Sequence, residues 1–183
     1  MTIAELLAAC RCGIPFSTSM IQAILAGQKT RTVQVMNPQP TGEPCDDSTM
    51  WHWKDCSWIE AGLGFPESGI EDYAMCKPGD IVCIRETWRP VDGYDDPIFL
   101  RITGVKVQRY RGLTGKETIA EGIDCSAGPE RGVPLCNERW ALKGKWKKIQ
   151  NSHRTKKSLA LLGDDANLWC FVYDFERAVP DDK

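Results

Sequence analysis

The chain has 183 residues, of which 42% are hydrophobic and 26% are charged, and its net charge is −2 at pH 7. These values are ordinary for a globular protein and exclude wholesale disorder. A net charge near zero also argues against a generally basic nucleic-acid coat protein, although a local basic patch stays compatible with it. The apolar run Ile3–Ala9 has no basic leader and is too short for a membrane span. We therefore expect a cytoplasmic protein with no membrane association.

The nine cysteines are scattered along the chain and include no Cys-x-x-Cys pair. In a chain without a secretory signal, reduced thiols are a simpler interpretation than a disulfide framework. Cys45, His52 and Cys56, joined by a remote cysteine, are a weak match to a zinc site, because structural zinc usually shows close pairs of ligands. We therefore expect no metal and no cofactor.

A sharp corner follows the first amphipathic stretch, in the sequence AILAGQKTRTVQV at residues 23–35. Ser19 and Gln22 have the spacing of a capping box, and an apolar stripe at helical spacing follows Ser19. We therefore predict a helix here, and we expect it to end at Gly27. Residues 30–35 alternate and are rich in β-branched side chains, which predicts a strand. The Lys-Thr-Arg-Thr group at residues 29–32 is therefore expected on a helix-to-strand junction.

Residues 38–77 are rich in Pro, Gly, Asp and Trp and show no sustained period. A long segment of this kind predicts a loop-rich insert. Trp51, Trp53 and Trp58 are expected to pack this insert onto the body of the protein, since buried aromatic rings dominate packing energies. Stacking of these rings on a ligand is the less favoured alternative.

The remaining elements are expected to be three strands and one short helix. A Pro-Gly-Asp turn precedes an apolar strand at 81–84, and further strands are predicted at 98–108 and 168–176. The helix lies between them, with Thr114 as its cap, Glu117 at the third position and Gly122 as its stop. The pattern as a whole predicts an α+β fold.

A basic segment at residues 139–157 contains eight Lys or Arg residues and no acidic residue. Tryptophans are interleaved with the cations, a combination that suits a single-stranded nucleic acid whose bases stack on rings. A solvated helical face or loop explains such a run equally well. The residues expected to bind nucleic acid are Lys143, Lys145, Trp146, Lys147 and Lys148.

Four motifs occur in a fixed order: Gly-Gln-Lys-Thr-x-Thr at 27–32, Lys-Pro-Gly-Asp followed by Arg-Glu-Thr-Trp at 77–88, Leu-Thr followed by Ala-Glu-Gly at 113–122, and an aromatic closing strand. Together they resemble the ASCH family, especially its longer phage and prophage members. The resemblance implies a PUA-like fold, which is a small β-barrel with flanking helices. It implies one domain at 14–178 with the insert and the basic segment inside it, after an N-terminal extension at 1–13.

The resemblance also implies a function. Small bacterial members of the family are amidohydrolases that remove the acetyl group of N4-acetylcytidine with a lysine, a threonine and a glutamate. Those residues fall on Lys29, Thr32 and Glu121 of this chain. The family commonly has an arginine two positions after the threonine, where this chain has Gln34. A phage-encoded protein of this kind would act in the cytoplasm of its bacterial host.

The chemistry of these three residues is consistent with amide hydrolysis. A threonine hydroxyl attacks an amide carbonyl only when a base takes its proton, and a lysine can be that base when burial or a nearby positive charge favours its neutral form. Glu121 would orient the lysine or protonate the leaving amine. Two alternatives remain, namely a structural ion-pair cluster and a non-catalytic module that binds RNA or a modified nucleotide. The residues expected to bind the substrate are Thr30, Arg31, Glu86 and Trp88.

Overall fold

The structure of the chain, a computed structural model, describes residues 1–45, 48–54, 56–60, 73–85, 97–122 and 167–181. In these ranges the chain forms three α-helices and eight β-strands. They are α1 (Ile3–Ala9), β1 (Cys10–Pro15), α2 (Thr18–Leu25), β2 (Arg31–Val35), β3 (Thr41–Cys45), β4 (Ser48–Trp53), β5 (Cys56–Glu60), β6 (Ile81–Arg85), β7 (Phe99–Arg109), α3 (Gly115–Ala120) and β8 (Trp169–Ala178).

The main sheet has five strands in the order β1-β6-β7-β8-β2. The β1 and β6 strands are parallel, and the other neighbours are antiparallel. This arrangement confirms the α+β class. Among the described residues β1 and β2 are the two edges, so the sheet is not closed into the barrel that the resemblance implied. Helix α2 connects these two edge strands and buries Ile21 and Ile24 in the core.

The insert is more regular than the predicted loop-rich segment, because β3, β4 and β5 form an antiparallel three-stranded sheet. These strands have only five or six residues each and include Gly42 and Pro44, which hides their alternation in the sequence. The expected packing of the insert is confirmed for two tryptophans. The Trp53 ring centroid is 5.5 Å from that of Phe171, and the Trp51 centroid is 5.5 Å from that of Trp169. The side chain of Trp58 lies outside what the structure describes.

The first residues of the chain are part of the sheet and its packing. Strand β1 pairs with β6, and Leu6 of α1 packs in a small cluster with Ile81 and Phe99. The main core lies on the other face of the sheet, where α2 and Trp53 pack on β7 and β8. A third cluster, built on Tyr110, lies under the segment that leads into α3.

The other predicted elements are confirmed with small shifts at their ends. Helix α2 begins earlier than predicted, because the cap is the hydroxyl of Ser17, which accepts a hydrogen bond from the backbone N–H of Met20. Helix α3 has the predicted capping box between Thr114 and Glu117. No helix in the described ranges is long and apolar enough to span a bilayer.

Candidate functional site

The corner between α2 and β2 is held by backbone hydrogen bonds from two sides. Lys29 forms an isolated antiparallel bridge with Glu121, and the N–H of Thr30 donates to the carbonyl oxygen of Ala120 at 2.8 Å. On the opposite side, the N–H of Phe175 donates to the carbonyl oxygen of Thr30 at 2.9 Å. The corner is therefore fixed between the end of α3 and strand β8.

The Lys29 side chain is almost completely buried, with 2% of its surface exposed. Its Nζ donates to the carbonyl oxygens of Arg31 and Glu121 at 2.7 and 2.8 Å. The same Nζ lies 5.5 Å from the centroid of the Phe16 ring. Backbone carbonyls and an aromatic face are groups that stabilise a buried ammonium ion, since burial of an unpaired charge is very costly.

Glu121 is the C-cap of α3 and is also buried. Burial raises the pKa of the Tyr110 hydroxyl, and the nearby charge of Glu121 raises it further. The next residue, Gly122, has a φ of +73°, and a Cβ built on it would lie 2.8 Å from the Cβ of Lys29. A glycine is therefore required for the end of α3 to approach the corner this closely.

Thr32 is half-buried on β2, directly opposite Tyr173 of β8. Directly opposed side chains share a face of the sheet, so Thr32 lies on the face of the main core. Phe175 is on the same face, two residues along, and packs edge-on against Phe16, the ring next to Lys29. The structure thus places Thr32 and the Lys29 ammonium on one face of the sheet, and it brings Lys29 and Glu121 into direct contact.

Arg31 points to the other face of β2, where two carboxylates bind it. Its guanidinium donates to Asp174 at 2.5 Å and to Glu117 at 2.7 Å. Burial alone would lower the pKa of Arg31, but the two carboxylates outweigh it and raise that pKa above its ordinary value. Thr30, directly before β2, is exposed. A role of Thr30 or Arg31 in substrate binding stays a prediction.

Glu117 is the centre of this ionic cluster. It also accepts from Lys106 Nζ at 2.5 Å and from the backbone N–H of Thr114 at 2.8 Å. Burial would raise the pKa of Glu117, but these hydrogen bonds and the charge of Lys106 lower it to about 2. Glu117 is therefore a carboxylate at neutral pH that fixes the first turn of α3 to β2 and β7.

Several predicted site residues lie outside the described part of the chain. His52, a member of the weak match to a zinc site, is described, and its Nδ1 shares a hydrogen bond with Ser57 Oγ at 2.8 Å. Within the described ranges no three metal-ligating side chains come together. The residues outside these ranges are Glu86, Trp88, Lys143, Lys145, Trp146, Lys147 and Lys148.

Sequence reasoning missed Phe16 and Tyr110 as neighbours of the site. Neither belongs to the four motifs, and both approach Lys29 or Glu121 only through the tertiary fold. A usable signal for Tyr110 was its place just before the Leu-Thr motif at the end of a strand. Among the described residues, Lys29 and Glu121 are the only buried residues whose side chains ordinarily carry a charge.

No protein-family model matches the chain, and no curated protein matches it. Among solved structures, the chain is similar to an ASCH domain from Lactobacillus crispatus JV V101, with 11% sequence identity and a TM-score of 0.49 over 96% of this chain and 90% of that one. It is also similar to protein EF3133 from Enterococcus faecalis V583, of the family DUF984, with 13% identity and a TM-score of 0.48 over 92% of this chain and 80% of that one.

Proposed function

We propose that the protein is an amidohydrolase that removes an acyl group from the exocyclic amine of a pyrimidine nucleoside such as N4-acetylcytidine. The observation that supports this most directly is that Lys29 and Glu121 are buried next to each other, with the Lys29 Nζ donating to the backbone carbonyl oxygen of Glu121. They are the only buried residues of ordinarily charged type in the described ranges, and they are two of the three residues that the family resemblance marks as catalytic. Burial of two ionisable side chains on adjacent residues of the fold is typical of sites where protons are moved.

In the proposed reaction Thr32 is the nucleophile. Its hydroxyl oxygen attacks the acyl carbonyl carbon while its proton passes to the neutral amine of Lys29. The amide C–N bond then breaks, the exocyclic nitrogen leaves with a proton from Glu121, and the acyl group stays on Thr32 as an ester. Water hydrolyses the ester and restores the hydroxyl. Glu121 regains its proton from Lys29, which returns to its neutral form.

The surroundings of Lys29 support this assignment in two ways. The aromatic residues Phe16, Phe175 and Tyr173 line the face of the sheet that carries Thr32, and they would exclude water from the reacting atoms. In such surroundings the electrostatic effect of a lysine or a carboxylate on an acyl oxygen is stronger than in water. We assign substrate binding to Thr30, Arg31, Glu86 and Trp88.

A second candidate function is a non-catalytic module that binds RNA or a modified nucleotide. It is favoured by the basic segment at 139–157 and by the two carbonyl oxygens around Lys29 Nζ, which stabilise the ammonium form over the neutral amine. In that case the same residues would recognise a nucleobase without cleaving it, and the basic segment would add affinity for the phosphate backbone.

The test is the release of cytidine from N4-acetylcytidine by the purified chain, measured by chromatography. We expect Thr32→Ala and Lys29→Met each to reduce kcat/KM by about 100-fold or more, as loss of a nucleophile or its base does. The double variant should be no worse than either single one, because the two residues act as one unit. Thr103→Ala and Lys116→Met are matched controls on exposed positions of β7 and α3, and they should keep full activity.

Two results would separate the candidates. Nucleoside binding without any cytidine release by the wild-type chain would reject the amidohydrolase and favour the binding module. Full activity of Thr32→Ala, with a melting temperature like that of the wild type, would reject Thr32 as the nucleophile.

A further inference from the structure

Two thiols lie in contact where β1 meets the segment that precedes β6. The Sγ atoms of Cys12 and Cys76 are 2.7 Å apart, although 64 positions separate the two residues in the chain. The Cys10 thiol donates to the carbonyl oxygen of Cys12 at 3.3 Å. Cys76 is buried in the main core, whereas Cys10 and Cys12 are partly exposed. A buried thiol is thus held in contact with one that solvent can reach.

We propose that Cys12 and Cys76 are a redox pair that forms a disulfide by exchange with a low-molecular-weight disulfide such as oxidised glutathione. The proposal is independent of the proposed function, because neither cysteine belongs to the Lys29, Thr32 and Glu121 set.

The backbone is held in place on both sides of the pair. Cys12 is opposite Val82 in the parallel pairing of β1 with β6. Next to Cys76, the N–H of Met75 donates to the hydroxyl of Tyr173 at 3.2 Å. A covalent S–S bond is about 2.05 Å long, so the sulfur atoms need only a small further approach. Side-chain rotation supplies a displacement of that size without a change in the strand pairing.

The exposure of the two thiols sets the order of the steps. The thiolate of Cys12 attacks one sulfur of the small disulfide, which forms a mixed disulfide and releases one small thiolate. Cys76 then loses its proton, and its sulfur attacks the Cys12 sulfur and displaces the second small thiolate. The two protein thiols are oxidised, and the small disulfide is reduced to two thiols. Burial raises the pKa of Cys76, so it stays protonated until the mixed disulfide has formed beside it.

The bond would tie the edge strand β1 to a residue 64 positions away. Closing a loop of this length restricts the unfolded chain, so the oxidised protein should be more stable than the reduced one. We expect its melting temperature to be higher by about 5–10 °C for a chain of this size.

The experiment exposes the folded full chain to buffers of increasing ratio of oxidised to reduced glutathione. Each sample is quenched in acid, denatured and alkylated, and the protected thiols are counted by intact mass. We expect the wild-type chain to protect two more thiols than the Cys12→Ser variant, and its intact mass should show no covalently bound glutathione. Dithiothreitol should reverse the rise in melting temperature. Cys83→Ser, a half-buried cysteine of β6, is the matched control and should behave as the wild type.

Three results would overturn the proposal. One is an equal number of protected thiols in the wild type and Cys12→Ser. Another is a wild-type chain that protects one more thiol than Cys12→Ser and carries one glutathione, since Cys12 would then be modified without a partner. The third is a bond that Cys76→Ala leaves intact. If Cys76→Ala does not fold, the comparison with Cys12→Ser decides alone, because Cys12 is not in the fully buried part of the core.

Discussion

Replacing Gly122 with alanine tests whether close contact at the end of α3 sets the position of Lys29. Gly122 has a φ of +73°, and an added Cβ would lie 2.8 Å from the Cβ of Lys29 and 2.9 Å from the Cβ of Ala23. A Cβ cannot rotate away from such a contact because it is attached to the backbone. Either the corner or the end of α3 must therefore move.

Gly27→Ala is a matched control for this substitution. Gly27 also follows a helix, with a φ of +70°, but an added Cβ there would meet no atom within 4 Å. Both alanines bear the cost of a left-handed backbone, about 1–2 kcal/mol. Only Gly122→Ala adds overpacking, which typically costs about 1–3 kcal/mol. The free energy of unfolding of Gly122→Ala should therefore be lower than that of Gly27→Ala by about 1–3 kcal/mol.

Urea unfolding of both variants measures this difference, and thermal unfolding should place their melting temperatures about 2–12 °C apart. Under the proposed function, Gly122→Ala should also lose activity against N4-acetylcytidine, because the amine of Lys29 moves relative to Thr32, while Gly27→Ala should keep it. Equal free energies of unfolding for the two variants would refute the close contact between Gly122 and Lys29.

Three further predictions concern Glu117, Arg109 and the basic segment at 139–157. The pKa of Glu117 is lowered from 4.5 to about 2 in the folded chain, so its stabilising effect is complete above pH 4.5 and is lost as the pH falls towards 2. Glu117→Gln should lower the free energy of unfolding by on the order of 2–3 kcal/mol at neutral pH, and this free energy should then fall less steeply between pH 4.5 and 2. Urea unfolding measures it at each pH, and an unchanged pH dependence would contradict the prediction. The Arg109 guanidinium lies 4.3 and 4.2 Å from tryptophan rings of β4 and β8. Arg109→Gln should lower stability by about 1–2 kcal/mol in thermal unfolding, whereas Arg101→Gln, on an exposed position, should have little effect. If the basic segment binds single-stranded RNA, each lost phosphate contact should reduce the slope of log affinity against log salt concentration by about 0.7 in magnitude. An affinity of the wild-type chain that does not change with salt concentration would reject this role. The substitutions for that measurement are Lys145→Gln, Lys147→Gln and Lys148→Gln.

The sequence was most informative where local chemistry decides the structure. The capping box of Thr114 and Glu117 and the glycine stop at Gly122 are local signals, and both ends of α3 were placed correctly from them. The alternation of β2 and the apolar runs of β7 and β8 were equally clear. The contact between Lys29 and Glu121 was anticipated because both residues belong to motifs of a family resemblance, and no local pattern by itself joins positions so far apart.

Other features depend on packing that no short pattern records. The three strands of the insert were missed because Gly42 and Pro44 disfavour a strand in isolation. In the fold, Gly42 leaves room for the ring of Trp51, since a Cβ there would lie 2.7 Å from that ring. The opposite directions of Arg31 and Thr32 follow from strand alternation. The ion pairs of Arg31 with Asp174 and Glu117 depend instead on the order of the strands in the sheet, which the sequence did not define.

Helix α3 has only six residues, and a helix this short does not form in water by itself. It is held at both ends by the same corner, through Arg31 at its first turn and Lys29 at its C-cap, Glu121. Its amide protons should therefore exchange with solvent in the same opening event as those of β2, not through fraying of the helix alone. The Glu121 carboxylate would then have no native position in a partly folded chain, and the site would appear only when the corner itself has folded.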